Sequence, residues 1–116
     1  MREILRELNQ KADILGSMVI TPDGIMVAAA LSNGYEEDSV AAFASSLLLT
    51  LKRNLEAMGK AEEATLCVLN ATKGKVAFMD LKNSYLVVMA EPGADLQARM
   101  PAMESAASRI KNRRLA

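Results

Sequence analysis

The chain contains no histidine, no tryptophan and a single cysteine, Cys67. Without histidine it lacks the side chain that most often moves protons near neutral pH and most often binds metals. A Cys/His zinc site within one chain is thereby excluded, because Cys67 alone cannot supply a tetrahedral set. The same lone thiol forms no internal disulfide, which points to a reducing, intracellular compartment. Aromatic rings are scarce as well: Phe43, Phe78, Tyr35 and Tyr85 are the whole set, too few for base-stacking platforms. Nor does one sign of charge dominate. Lys plus Arg and Asp plus Glu are 14 each, so neither nucleic acid nor an anionic membrane is indicated as the main partner. No apolar run is long enough to span a bilayer, and Met1 leads into Arg2, Glu3, Arg6 and Glu7 rather than a signal-peptide core. A cytoplasmic protein without membrane insertion is expected, with no cofactor and no metal.

What is abundant is aliphatic surface. Apolar residues make up 51% of 116 residues, enough for one domain over 1–116 with a core of its own. The surplus is concentrated in Ser39–Met58. Val40, Phe43, Ala44, Leu47, Leu51, Leu55 and Met58 recur there at spacings of three and four, a stripe expected to face the core. Ala41 and Leu48 fall on its flank, and Ala42 and Leu49 lie nearly opposite. A helix side turned to water seldom carries leucine, so a second copy of the chain is the simplest cover.

Along the rest of the chain, Arg2–Ala12 reads as a short helix, and Gly16 lets the chain turn. Ser17–Thr21 and Ile25–Ala30 are strands joined by the turn Pro22-Asp23-Gly24. Leu31–Asp38 is a loop whose acidic end suits a helix start, with Asp38 or Ser39 as N-cap. Gly59 is placed to end the long helix in the left-handed region. Glu63–Asn70 is a third strand. Gly74 serves a turn as its left-handed residue, and Lys75–Leu81 and Ser84–Ala90 form a hairpin about Lys82-Asn83. Asp95 can cap a last helix, with Pro101 either bending it or marking its first residue. The order α-β-β-α-β-β-β-α gives an α+β sandwich, a five-stranded antiparallel sheet between helices.

Motifs with chemistry are few. Asp23-Gly24 is a turn, and Cys67, inside an apolar strand, is a small buried hydrophobe. Glu36, Glu37, Asp38, Glu62 and Glu63 read as solvated loop carboxylates, not a converging acid/base pair. The run Asn70–Lys75 is not a phosphate loop, since Gly74-Lys75 leads into a strand. The eight methionines read as adaptable core filling. The basic end, Arg109, Lys111, Arg113 and Arg114, complements a helix dipole.

Taken in order, these segments resemble the Roadblock/LC7 (dynein light chain) family, and most closely its small prokaryotic, MglB-like members. The resemblance rests on an opening amphipathic helix followed by SMVITPDGIMVAAAL, the central helix AAFASSLLLTLKRNL, the strands ATLCVLN, GKVAFMDL and SYLVVMA, and a closing helix. It covers essentially the whole chain and implies a roadblock/profilin-like fold without catalytic residues. It also implies a homodimer, with central helices side by side and third strands paired edge to edge. On this chain the implied dimer interface is Ala41, Ala44, Ser45, Leu48 and Leu55 with Thr65, Leu66, Cys67, Val68 and Leu69. Small Ras-like GTPases dock on the helix-pair face in the family. The implied partner-binding residues are Ala42, Leu49, Lys52, Arg53 and Glu56. The reading is a scaffold that modulates the nucleotide cycle or localisation of such a GTPase. A dimeric sensor or assembly module, binding another protein or a small ligand, is the alternative.

Overall fold

The computed structural model describes residues 1–11, 13–23, 25–32, 35–57, 59, 66–72 and 74–115, with the backbone alone for Leu55, Leu66, Cys67, Ala71 and 113–115. The elements are α1 (Arg2–Leu8), β1 (Ile14–Ile20), β2 (Met26–Leu31), α2 (Glu37–Ala57), β3 (Leu66–Ala71), β4 (Gly74–Asp80), β5 (Tyr85–Ala90) and α3 (Leu96–Leu115). The strands form one antiparallel sheet in the order β2-β1-β5-β4-β3. The expected fold class is the observed one.

Alternation along the strands sorts the core into two layers, because successive side chains point to opposite sheet faces. Val19, Ala77, Met79, Leu86 and Val88 pack under α1 and α3 with Ile4, Leu5, Leu8, Met103 and Ile110. Met18, Ile20, Ala29, Phe78 and Val87 face α2. Ser17, fully buried, stands on the first face. Its hydroxyl lies 2.8 Å from Asn9 Oδ1 and 3.3 Å from the Leu5 carbonyl. Asn9 Nδ2 in turn donates to the Ala30 carbonyl at 2.7 Å. This short polar chain ties α1 to both β1 and β2 and satisfies groups that burial would otherwise penalise. Two ion pairs fix α1 and its following loop to α3. Arg99 Nε donates to Asp13 Oδ1 at 2.8 Å, and Arg109 pairs with Glu7. The neighbouring guanidinium holds each carboxyl below its usual range, and Glu7 raises Arg109.

Several boundaries differ from those read in the sequence. Gly16 is not a turn residue: it lies inside β1, opposite Leu31. A Cβ there would come within 2.9 Å of Leu31 Cδ2 and 3.2 Å of Leu31 Cα, so the glycine permits close approach of β2. Helix α2 begins at Glu37, which puts Asp38 and Ser39 inside the helix rather than at its cap; the Val40 N–H reaches the Glu36 carbonyl at 3.0 Å. Gly59, with φ +74°, takes the left-handed conformation expected of it, and its N–H bonds the Glu56 carbonyl. Gly74 opens β4 and is not among the positive-φ residues; Lys82 is, at φ 78°. Helix α3 runs through Pro101 without ending there, after Asp95 Oδ1 accepts from the Ala98 N–H at 3.3 Å. Ala12, Gly24, Met58, Glu62 and Glu63 lie outside the described residues.

Candidate functional site

The largest correction concerns which side of α2 faces the sheet. Ala41, Ala44 and Leu48, each 4% exposed, are buried against the chain's own sheet. Phe43, expected in the core, is 54% exposed, and Val40 and Leu47 are half-buried at the margin. The core side is thus turned away from Phe43 toward the alanines. The short side chains of Ala41 and Ala44 and the longer one of Leu48 share a cluster with Met18, Ile20, Phe78 and Val87 of the sheet. Ala41, Ala44 and Leu48 are consequently already covered by this chain and offer little to a second copy. Ser45 sits half-buried beside them.

Turning the helix this way leaves two different surfaces. On one flank, Tyr35, Val40, Phe43 and Leu47 face Val76 of β4 and Met89 of β5 across a groove of about 290 Å³ that is walled almost entirely by carbon. The groove lies beside α2 over β5 and β4, toward the β3 side of the sheet. On that side, Val76 and Leu69 are only half-buried. Leu69 faces Val76 across β3 and β4, and β3 has no neighbour on its other side among the described residues. Val68, on the opposite face of the same edge strand, is 39% exposed. The side chains of Leu66 and Cys67, and all of Thr65, lie outside the described residues, as does the side chain of Leu55.

On the other flank, Ala42, Leu49, Arg53 and Glu56 are exposed along one side of α2, with Leu49 51% exposed at their centre. This is the strip expected to meet a partner, with one exception. Lys52 is half-buried, and its Nζ lies 4.8 Å from the centroid of the Tyr85 ring. That cation–π contact turns Lys52 back onto the sheet and away from the outward strip.

Sequence reasoning missed the groove. Its signal was present in Phe43 and Leu47, four residues apart, but the same spacing also describes a core stripe. Among the described residues, no group of three or more Cys, Asp and Glu side chains is placed to hold a metal ion, and no helix is long and apolar enough to cross a membrane. What the described arrangement offers is surface for association: a carbon-lined groove, an open strand edge, and a helix strip with an apolar centre and charged rim.

Residues 1–90 match the model of the Roadblock/LC7 domain family. Two uncharacterized proteins of Methanocaldococcus jannaschii, MJ0310 and MJ1340, are each 30% identical over 110 residues, covering 93% of this chain and 94% of theirs. Among solved structures, a Roadblock/LC7 domain from Streptomyces avermitilis superposes with a TM-score of 0.87 at 15% identity, over 100% of this chain and 98% of that one. Myxococcus xanthus MglB superposes with a TM-score of 0.83 at 12% identity, over 96% of this chain and 91% of its own. At such identities these superpositions establish the fold.

Proposed function

The chain belongs to the Roadblock/LC7 family, and on that premise we propose that it is a non-enzymatic, homodimeric scaffold, one domain over 1–116, that binds a small Ras-like GTPase and modulates its nucleotide cycle or localisation. The observation that carries this reading is the unequal cover of the sheet. Among the described residues, β3 is an open edge and lies next to the strand, β4, whose Val76 lines the apolar groove beside α2. A two-fold axis at that edge satisfies both at once. The β3 strands of two copies pair antiparallel through their unpaired backbone groups, and the Phe43 flank of each α2 enters the space over the outer strands of the other. The dimer contact therefore centres on Phe43, Leu47, Leu69 and Val76 rather than on Ala41, Ala44 and Leu48.

Pairing in this way brings two α2 helices side by side and presents two copies of the Ala42, Leu49, Arg53 and Glu56 strip to solvent. An apolar centre with a charged rim suits a protein partner. The fold likeness to MglB, and to MglC of Myxococcus xanthus, supports a regulatory scaffold of this kind. The absence of histidine from the chain supports a role without catalysis. The test is retention of a Ras-like GTPase, purified from the same organism and loaded with GDP or a GTP analogue, on the immobilised chain. Wild type is expected to retain it and Leu49→Asp to lose it. Equal retention by both removes the α2 strip from the site. Retention by neither, with the dimer intact, favours the assembly module that binds another protein or a small ligand.

A further inference from the structure

The opposite edge of the sheet carries a second arrangement that the scaffold reading does not use. Strand β2 is the other edge and, among the described residues, pairs only with β1. The Ser32 N–H reaches the Leu15 carbonyl at 3.2 Å, and the Ser32 hydroxyl donates to the same oxygen at 2.7 Å. In an antiparallel ladder, residues that exchange bonds with the neighbour alternate with residues that point the other way. Counting back from Ser32, the N–H and C=O groups of Leu31 and Ala29 therefore face outward, away from β1. They lie along a cleft of about 590 Å³. A register shift between Val19 and Ile20, opposite Val27, ends the regular edge on the other side.

Above this edge stands α1, and its charges are segregated. Glu7 points to α3, where it pairs with Arg109. Arg2 and Arg6, one helical turn apart on a different side, line the β2 cleft instead. Both are exposed, and neither forms an ion pair with a described residue. Tyr35, 44% exposed, and Glu37 form the far wall at the entry to α2. Unpaired backbone groups at an edge are a template for another strand, and two guanidiniums open to solvent beside them select the sign of its side chains.

We propose that the β2 edge is a docking site for an extended acidic peptide segment of a partner protein, which adds as a sixth strand. It bonds the outward groups of Ala29 and Leu31 and sets carboxylates against Arg2 and Arg6. The site lies at the far side of the sheet from β3, so it stands whether or not the dimer and GTPase readings hold.

The test uses the full chain and two fluorescein-labelled synthetic peptides, one alternating valine with glutamate and one alternating valine with lysine. The glutamate peptide is expected to bind saturably. Its binding should slow hydrogen exchange at the Ala29 and Leu31 amides. The Arg2→Gln/Arg6→Gln variant should weaken it by about tenfold, the effect of removing two modest charge–charge attractions at once. Arg2 and Arg6 pair with no other element among the described residues, so the variant's unchanged circular dichroism is the control for folding. Equal binding of the lysine peptide, binding without protection at Ala29 and Leu31, or binding indifferent to the double substitution overturns the proposal. So does absence of binding by the glutamate peptide. Citrate displacing the peptide while leaving both amides unprotected would identify a small-anion pocket instead, and would also overturn it.

Discussion

Replacing Leu48 by alanine should cost far more than replacing its neighbour Leu49, although the two are chemically identical and adjacent on one helix. Leu48 is 4% exposed in a cluster with Met18, Ile20, Phe78 and Val87. Truncation to alanine removes carbon that burial stabilises by about 0.8 kcal/mol per methylene, or roughly 2 kcal/mol in all. The cavity left beneath α2 raises the total to about 3 kcal/mol, because close-packed surroundings collapse only in part. Leu49 is 51% exposed and belongs to neither core cluster. Its truncation should change stability by about 0.5 kcal/mol or less, the usual range for a surface site, and alanine's higher helix propensity offsets part of that. Urea unfolding followed by far-ultraviolet circular dichroism measures both. A fixed chain concentration is needed, since self-association links stability to concentration. Equal losses for the two variants, or a larger loss for Leu49→Ala, would refute the placement of α2 and with it the groove and the outward strip.

Other outcomes follow from the same packing. Asn9→Ala should destabilise by about 1–3 kcal/mol in urea unfolding, because it leaves the buried Ser17 hydroxyl and the Ala30 carbonyl with fewer partners. Lys82→Gly should stabilise by about 1 kcal/mol, since Lys82 sits at φ 78°, a region costly for any residue with a Cβ. Its N–H would keep the 2.6 Å bond to Asp80 Oδ1, and unchanged or lower thermal stability would count against the left-handed turn. Acid should loosen α3 from α1. The carboxyls of Glu7 and Asp13 are held below their usual values by Arg109 and Arg99. Each contributes stability that is complete above the ordinary carboxylate range and is lost as pH falls through that range toward the depressed folded value. Protection from hydrogen exchange in α3, relative to the intrinsic rate at each pH, should therefore fall below about pH 4, the ordinary carboxylate range, and less so in a Glu7→Gln/Asp13→Asn variant, whose baseline is already weakened.

The sequence made the element order legible because hairpin turns and helix ends leave local marks. Pro22-Asp23, Gly59 and Lys82-Asn83 each sit where the chain reverses or a helix stops, and strand alternation then sorts the core by face. It was less informative where two solutions satisfy one pattern. In α2, a stripe through Phe43 and Leu47 and a ridge through Ala41, Ala44 and Leu48 both follow helical spacing. Hydrophobicity favours the first. In the folded chain the second ridge is buried against the sheet, and the Phe43 ring stands outside the core. Gly16 was misread for a related reason: a glycine needed for close approach of a neighbouring strand looks the same in sequence as one needed for a turn. The β2 cleft was not visible at all, since Arg2 and Arg6 acquire meaning only when α1 is placed over a strand edge from later in the chain.

Self-association through the β3 edge and the Phe43 flank underlies the functional reading, and sedimentation velocity at micromolar concentration tests it most directly. The wild-type chain should sediment at twice its 12.5 kDa mass, and Phe43→Asp should shift it to the single-chain mass while retaining wild-type circular dichroism. A wild-type chain that sediments only as the 12.5 kDa species would contradict the account.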